Sequence, residues 1–212
     1  MVSIAELERA VDDAFAVVGR PFAPWPNPYP RHEAPDDAAY SRLTNPERYL
    51  ILGARVDAWA QALSAFDLAD VVPDEGAAWV EDGPPPGLAR VHRIVPRADE
   101  ALSLLVCRTN LGAVPGAGIA LGVGDPAEPL GWFPDCGCDA CDGGSDADLE
   151  HLDAYIRGVV TGQFRRLRKG KQSITVVDPP GWMARGLRRF DRVDVILSRP
   201  RRWREISGAS WL

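Results

Sequence analysis

The sequence predicts an α+β domain, an antiparallel sheet of about four to six strands packed against three or four helices. Three observations predict it. Apolar residues recur at helical spacing in two N-terminal segments and one later segment. Between them lie short β-rich runs punctuated by clusters of Gly, Pro and Asp. The connections between those runs are too short for crossover helices, so the strands should pair antiparallel. The length of 212 residues fits one domain, 1–212, in which 1–44 form an N-terminal helix and a proline-rich strap and 45–212 form the core.

Taken in order, Ser3 and Glu6 make a capping box ahead of Ile4, Leu7, Val11, Ala14, Phe15 and Val18. This predicts an amphipathic helix over 4–18, stopped by Pro21. Five prolines then lie between 21 and 30, interleaved with Phe22, Trp25 and Tyr29. The prolines forbid a helix and favour extended backbone. A free linker seldom carries three aromatics, so the segment reads as a strap docked on the body. Its use as a proline-rich ligand for another protein's aromatic groove ranks below that. Asn45 and Pro46 occupy the cap and first position of a second helix. Tyr49, Leu52, Val56, Trp59, Leu63 and Phe66 carry it to about Ala69 as the core helix, and it ends near Pro73.

Strands are expected at 79–80, 89–95, 101–108 and 119–123, with 102–106 central because it is almost wholly apolar. The run LGAVPGAGIALGVG reads as a hairpin turn with small residues. It fails as a dinucleotide fingerprint because Gly122 falls one residue late after Gly116 and Gly118, and Asp125-Pro126 leaves no room for the helix. A third helix spans about 146–163, capped by Ser145 and Asp148, with Leu149, Leu152, Ile156, Val159 and Val160 inward. RRLRKGK is expected as a basic loop, 173–177 as a strand and DPPGW as a turn. A short helix around Met183, Leu187 and Phe190 should follow, then a last strand at 193–197 and a tail holding Trp203 and Trp211.

Composition excludes several classes. Apolar residues make up 46% and charged residues 25%, too apolar for a disordered chain. No window approaches a spanning helix. The N-terminus is acidic where a signal peptide needs basic and then apolar residues, so a cytoplasmic protein is expected. The net charge of −6 hides a split. Residues 1–150 carry 10 Arg against 25 Asp and Glu, and residues 151–212 carry 14 Lys and Arg against 5. The basic C-terminal third keeps nucleic acid open, through Arg165, Arg166, Arg168, Arg201, Arg202 and Arg204, the last three around Trp203. Attraction between the two halves within one fold ranks ahead of it.

The sharp chemical feature is the loop 134–144, FPDCGCDACDGG with its preceding Phe. Three of the four cysteines, Cys136, Cys138 and Cys141, fall within six residues. A cytosolic chain keeps thiols reduced, which argues against a disulfide framework. Asp135, Asp139 and Asp142 make the loop too polar for three thiols to be core packing. Cys138 and Cys141 have the C-x₂-C spacing that wraps a zinc ion, and Cys136 adds a third ligand through a C-x-C step. The fourth is expected from His151, from Cys107 or from a nearby Asp. A redox dithiol at Cys138 and Cys141 is disfavoured by the flanking carboxylates. A calcium loop from Asp139 to Glu150 fails where Cys141 and Gly143 replace oxygen ligands. The alternative without an ion is a polar cap over a helix end, its thiols bonding backbone amides.

The run PDCGCDACDGG followed by HLDAYIRGVVTGQF resembles a family of actinobacterial proteins of unknown function. The resemblance covers about 30 residues. It implies no reaction and carries over no catalytic residue.

No nucleophile elbow and no Walker loop is present. The histidines are His32, His92 and His151, with no pair at i, i+4, so a helical di-histidine site is excluded. The leading expectation is a binding or regulatory domain with a structural zinc ion. A nucleic-acid-associated protein is the second, and an enzyme whose site only the fold assembles is the third. The sequence does not identify a partner. A protein partner fits the leading expectation, nucleic acid ranks below it, and no membrane is expected.

Overall fold

The computed structural model describes residues 2–30, 34–80, 88–177, 181–188 and 191–212. The capping box forms as expected. The Ser3 side chain accepts from the Glu6 N–H, and Glu6 Oε2 accepts from the Ser3 N–H at 2.8 Å. Helix α1 runs Ile4–Val18 and buries Leu7 and Val11. The strap after it is irregular, and Phe22 and Trp25 pack on the main core. His32 and its neighbours 31–33 lie outside the described residues.

The second helix begins and ends differently from expectation. Asn45 takes a left-handed conformation (φ 49°) with no capping bond, and a single 3₁₀ turn, Pro46–Tyr49, leads into α2, Leu50–Ala65. Eleven of the sixteen residues of α2 are buried, so it is the core helix. It stops at Ala65 because Asp67 turns left-handed (φ 59°). The Leu68 N–H then bonds to the Leu63 carbonyl and the Asp67 N–H to the Ser64 carbonyl, a Schellman ending. The chain reverses, and Ala69–Pro73, expected as the helix end and its exit, becomes edge strand β1.

Five strands form an antiparallel meander in chain order: β1, β2 (Leu88–Pro96), β3 (Leu104–Leu111), β4 (Val114–Val123) and β5 (Glu128–Phe133). As expected from 102–106, β3 is central, and Leu104 to Cys107 are fully buried. Alternation sorts its side chains. Leu104 and Val106, with Ile119, Leu121 and Phe133, join the core formed with the helices. Leu105 and Cys107, with Val91 and Ala120, face the other way. The β3–β4 turn is only Gly112-Ala113, so most of the glycine-rich run is strand. Trp79-Val80 is no strand of the sheet; Trp79 makes one isolated bridge to Ala127.

Helix α3, Ser145–Val160, buries Leu152, Ile156, Val159 and Val160. It packs against α2 through Asp153, whose carboxylate accepts from Arg55 Nε and Nη2 (2.9 and 2.6 Å) and from Trp59 Nε1 (2.7 Å).

The C-terminal third corrects three expectations. The basic RRLRKGK is a hairpin, with β6 (Arg165–Lys169) turning into β7 (Gln172–Val176). The segment around Met183 is strand β8, Trp182–Arg185, not a helix, and Phe190 lies outside the described residues, as do 178–180 of the expected turn. The expected last strand at 193–197 is instead a short helix, α4, Val193–Ser198. Its spacing of Val193, Ile196 and Leu197 puts one face onto Leu167 and Ile174. The closing strand is β9, Arg204–Ser207. These four strands form a second antiparallel sheet, ordered β8-β7-β6-β9. The α+β class holds, with the described strands divided over two sheets rather than one. The sheets are joined by Glu128 of β5, buried between Arg166 and Arg168 of β6. Among the described residues, no helix is long and apolar enough to cross a membrane.

Candidate metal centre

The loop 134–144 leaves the end of β5 and returns to the start of α3. Two glycines at positive φ let it turn where side chains would collide. A Cβ on Gly137 (φ 79°) would come 2.9 Å from Leu111 Cδ1, and one on Gly144 (φ 85°) would come 2.5 Å from the Asn27 backbone nitrogen. The strap therefore lies directly on the end of the loop. Between the glycines, a 3₁₀ turn, Asp139–Cys141, brings the Cys141 N–H onto the Cys138 carbonyl at 3.0 Å. This turn gathers the thiols. The Sγ atoms of Cys136, Cys138 and Cys141 all lie within 4.8 Å of one another, with Cys136 and Cys138 at 3.3 Å. Cys138 is buried and the other two are exposed.

The loop's acidic residues hold it in place. Asp139 accepts from Arg42 Nε (2.6 Å), from the Thr44 N–H (2.7 Å) and from Thr44 Oγ1 (2.7 Å). Those donors pull its carboxyl down to about 2, with Thr44 contributing most. Asp142 is buried. Its Oδ1 accepts from Trp25 Nε1 and from the Gly144 N–H, both at 2.9 Å, and its Oδ2 meets Arg48 Nη2 at 2.9 Å. The Arg48 guanidinium lies 5.1 and 5.0 Å from the ring centroids of Trp25 and Tyr49. Strap, loop and the entry to α2 are thus one polar cluster.

The thiols perturb one another. The Cys136 hydrogen bond lowers Cys138, while Cys141, bonded to Cys138 and crowded by two sulfurs, is pushed up to about 12. Three sulfurs this close cannot all ionise unless a cation neutralises them.

Beside them lies a cleft of about 300 Å³, whose walls include Cys136, Cys141, Asp135, Asp148 and His151. His151 packs edge-to-face on Phe133 and Tyr155, with centroids at 5.2 and 5.0 Å. Cys107 does not join the group. It sits on the other face of β3 in an apolar cluster, and burial drives its thiol up to about 11. The sequence pattern predicts Asp148, with Ser145, as a helix cap. That cap does not form: Gly144 is the cap residue and makes no side-chain bond, while Ser145 Oγ donates to the Trp25 carbonyl (3.1 Å) and accepts from the Trp25 N–H (3.2 Å). Asp148 is left lining the cleft. Its buried Oδ2 has no hydrogen-bond partner among the described residues, and burial, then Asp142, pushes its carboxyl up to about 6. The available signal was its spacing, three residues before His151 on one helix face.

The arginines of the C-terminal third divide into two sets. Arg165 bonds Glu205 at 2.6 and 3.1 Å, Arg166 donates to the Pro129 carbonyl at 2.6 Å, and Arg168 meets Glu128 at 2.9 Å. Arg201, Arg202 and Arg204 are exposed. Half of the basic set is therefore engaged within the fold.

The profile of a family of unknown function (DUF6226) matches residues 11–209, and the chain belongs to that family. No curated protein and no solved structure matches it.

Proposed function

We propose that this member of a family of unknown function is a binding or regulatory domain in which Cys136, Cys138 and Cys141 hold a structural zinc ion. The observation that carries the reading is the convergence of the three sulfurs within 4.8 Å. Zinc–thiolate bonds of about 2.3 Å in a tetrahedron place sulfurs about 3.8 Å apart. The cluster brackets that separation, and the pair at 3.3 Å needs to open by only about half an ångström. The donor set favours a soft, thiolate-binding metal over calcium or magnesium. A divalent ion would also neutralise the charge that otherwise keeps Cys141 protonated, since thiolate ligation displaces the protons.

The reading assigns the ion a mechanical role. Loop 134–144 carries little apolar surface of its own and is fixed by charge-assisted bonds to Arg42, Thr44, Arg48 and Trp25. An ion at its centre would hold the two exposed cysteines on the buried one and keep those bonds in register. The protein is purified without added metal and its zinc content measured. One zinc per chain, lost in Cys138→Ser, is expected. Folded wild-type protein that neither carries nor takes up zinc overturns the reading.

A further inference from the structure

We infer that Asp148 supplies the fourth ligand to the ion held by Cys136, Cys138 and Cys141, joining the loop to the first turn of α3. The inference rests on the zinc reading and goes beyond it, because three cysteines leave one tetrahedral position open. Asp148 lines the same cleft as Cys136 and Cys141. Its Oδ2 is shielded from solvent without a hydrogen-bond partner among the described residues. A buried carboxylate oxygen in that condition is costly and calls for a cation or a donor. Asp135 lines the same cleft, so its wall carries more than one carboxylate. The neighbouring cation, Arg48, bonds Asp142 at 2.9 Å and lies against Trp25 and Tyr49.

His151 is the competing ligand. It shares the cleft wall, but its ring is held edge-to-face between Phe133 and Tyr155. Moving the His151 ring toward the sulfurs would disturb those two contacts, whereas ligation by Asp148 breaks no bond of its Oδ2. A second competing role for Asp148 is as a partner for Arg48, whose Nε has no hydrogen-bond partner among the described residues.

The test is zinc affinity by competition with a chromophoric chelator, together with the absorption spectrum of the cobalt-substituted protein. Asp148→Asn is expected to weaken zinc at least about tenfold, the loss that removing even an outer partner of a ligand produces, while His151→Gln stays within about twofold. The cobalt spectrum of Asp148→Asn should keep its thiolate charge-transfer bands and change in the d–d region. Asp148→Cys should bind at least as tightly as wild type and gain charge-transfer intensity from a fourth sulfur. That second variant decides the matter if Asp148→Asn does not fold. Unchanged affinity in Asp148→Asn with lowered stability would assign Asp148 to Arg48 and overturn the inference. So would a tenfold loss in His151→Gln alone, or no added intensity in Asp148→Cys. Failure of the wild-type protein to bind zinc overturns the broader reading instead, so the two failures are distinguishable.

Discussion

Replacing Asp142 by Asn removes one charge from the cluster that joins strap, loop and α2, and changes its shape very little. The Oδ1 acceptor survives, so the bonds from Trp25 Nε1 and the Gly144 N–H can persist. Oδ2 becomes an NH₂ donor facing Arg48 Nη2 across 2.9 Å, leaving the guanidinium opposite a donor instead of an anion. Breaking a fully buried ion pair from one side costs about 3–5 kcal/mol. The Arg48 side chain is 20% exposed, which brings the expected loss down to about 2–3 kcal/mol, at or below that range. Urea unfolding followed by far-UV circular dichroism measures it, with the midpoint falling and the slope unchanged. Arg48→Met should cost a similar amount, and the double variant should show a coupling of about 1–3 kcal/mol. Limited proteolysis supplies a local readout, because loosening this cluster should open the strap at 21–30 before the core melts. A loss below about 0.5 kcal/mol, or strict additivity with Arg48→Met, would refute the claim that this pair pins the loop to the entry of α2.

Three further expectations follow from the same bonds and burial. Asp153→Ala strips three donors on Arg55 and Trp59 of their acceptor and should cost about 3–5 kcal/mol, a fall of roughly 6–20 °C in thermal midpoint; a fall under about 3 °C contradicts it. Burial, then Arg90, holds His92 down to about 4 from an ordinary 6.5, so between those values the unfolded chain takes a proton that the native state refuses. Stability should therefore fall as pH drops through that window, by at most about 3 kcal/mol, and His92→Gln should flatten this part of the profile. An equally steep profile in the variant argues against the assignment. Cys107→Ala should leave zinc content unchanged while lowering stability modestly, since its thiol packs on the far face of β3; zinc loss there would place the site elsewhere.

Features set by near neighbours in the chain were readable. The capping box at Ser3 and Glu6 and the apolar stripe behind it defined α1 to the residue. Phe22 and Trp25 gave away a docked strap. Three cysteines within six residues named the candidate centre because their convergence needs only local turns. What escaped was decided by distant partners. Asn45-Pro46 looks like a helix cap, but the chain enters α2 through a left-handed residue and a 3₁₀ turn. RRLRKGK looks like a solvated loop because its charges conceal alternation, and partners about 40 positions earlier, the Glu128 carboxylate and the Pro129 carbonyl, make a buried Arg166 tolerable. Val193–Ser198 is rich in β-branched residues, yet packing on Leu167 and Ile174 selects a helical turn. Ser145 was claimed as a cap by its sequence and by Trp25 in the fold, 120 residues away. That exchange left Asp148 lining the cleft beside Cys136 and Cys141.

The coordination shell itself can be read by zinc K-edge X-ray absorption on protein purified without added metal. Three sulfurs at about 2.3 Å and one oxygen or nitrogen at about 2.0–2.1 Å are expected. A shell of light atoms alone, or an edge no stronger than the buffer's, would contradict a zinc centre at Cys136, Cys138 and Cys141.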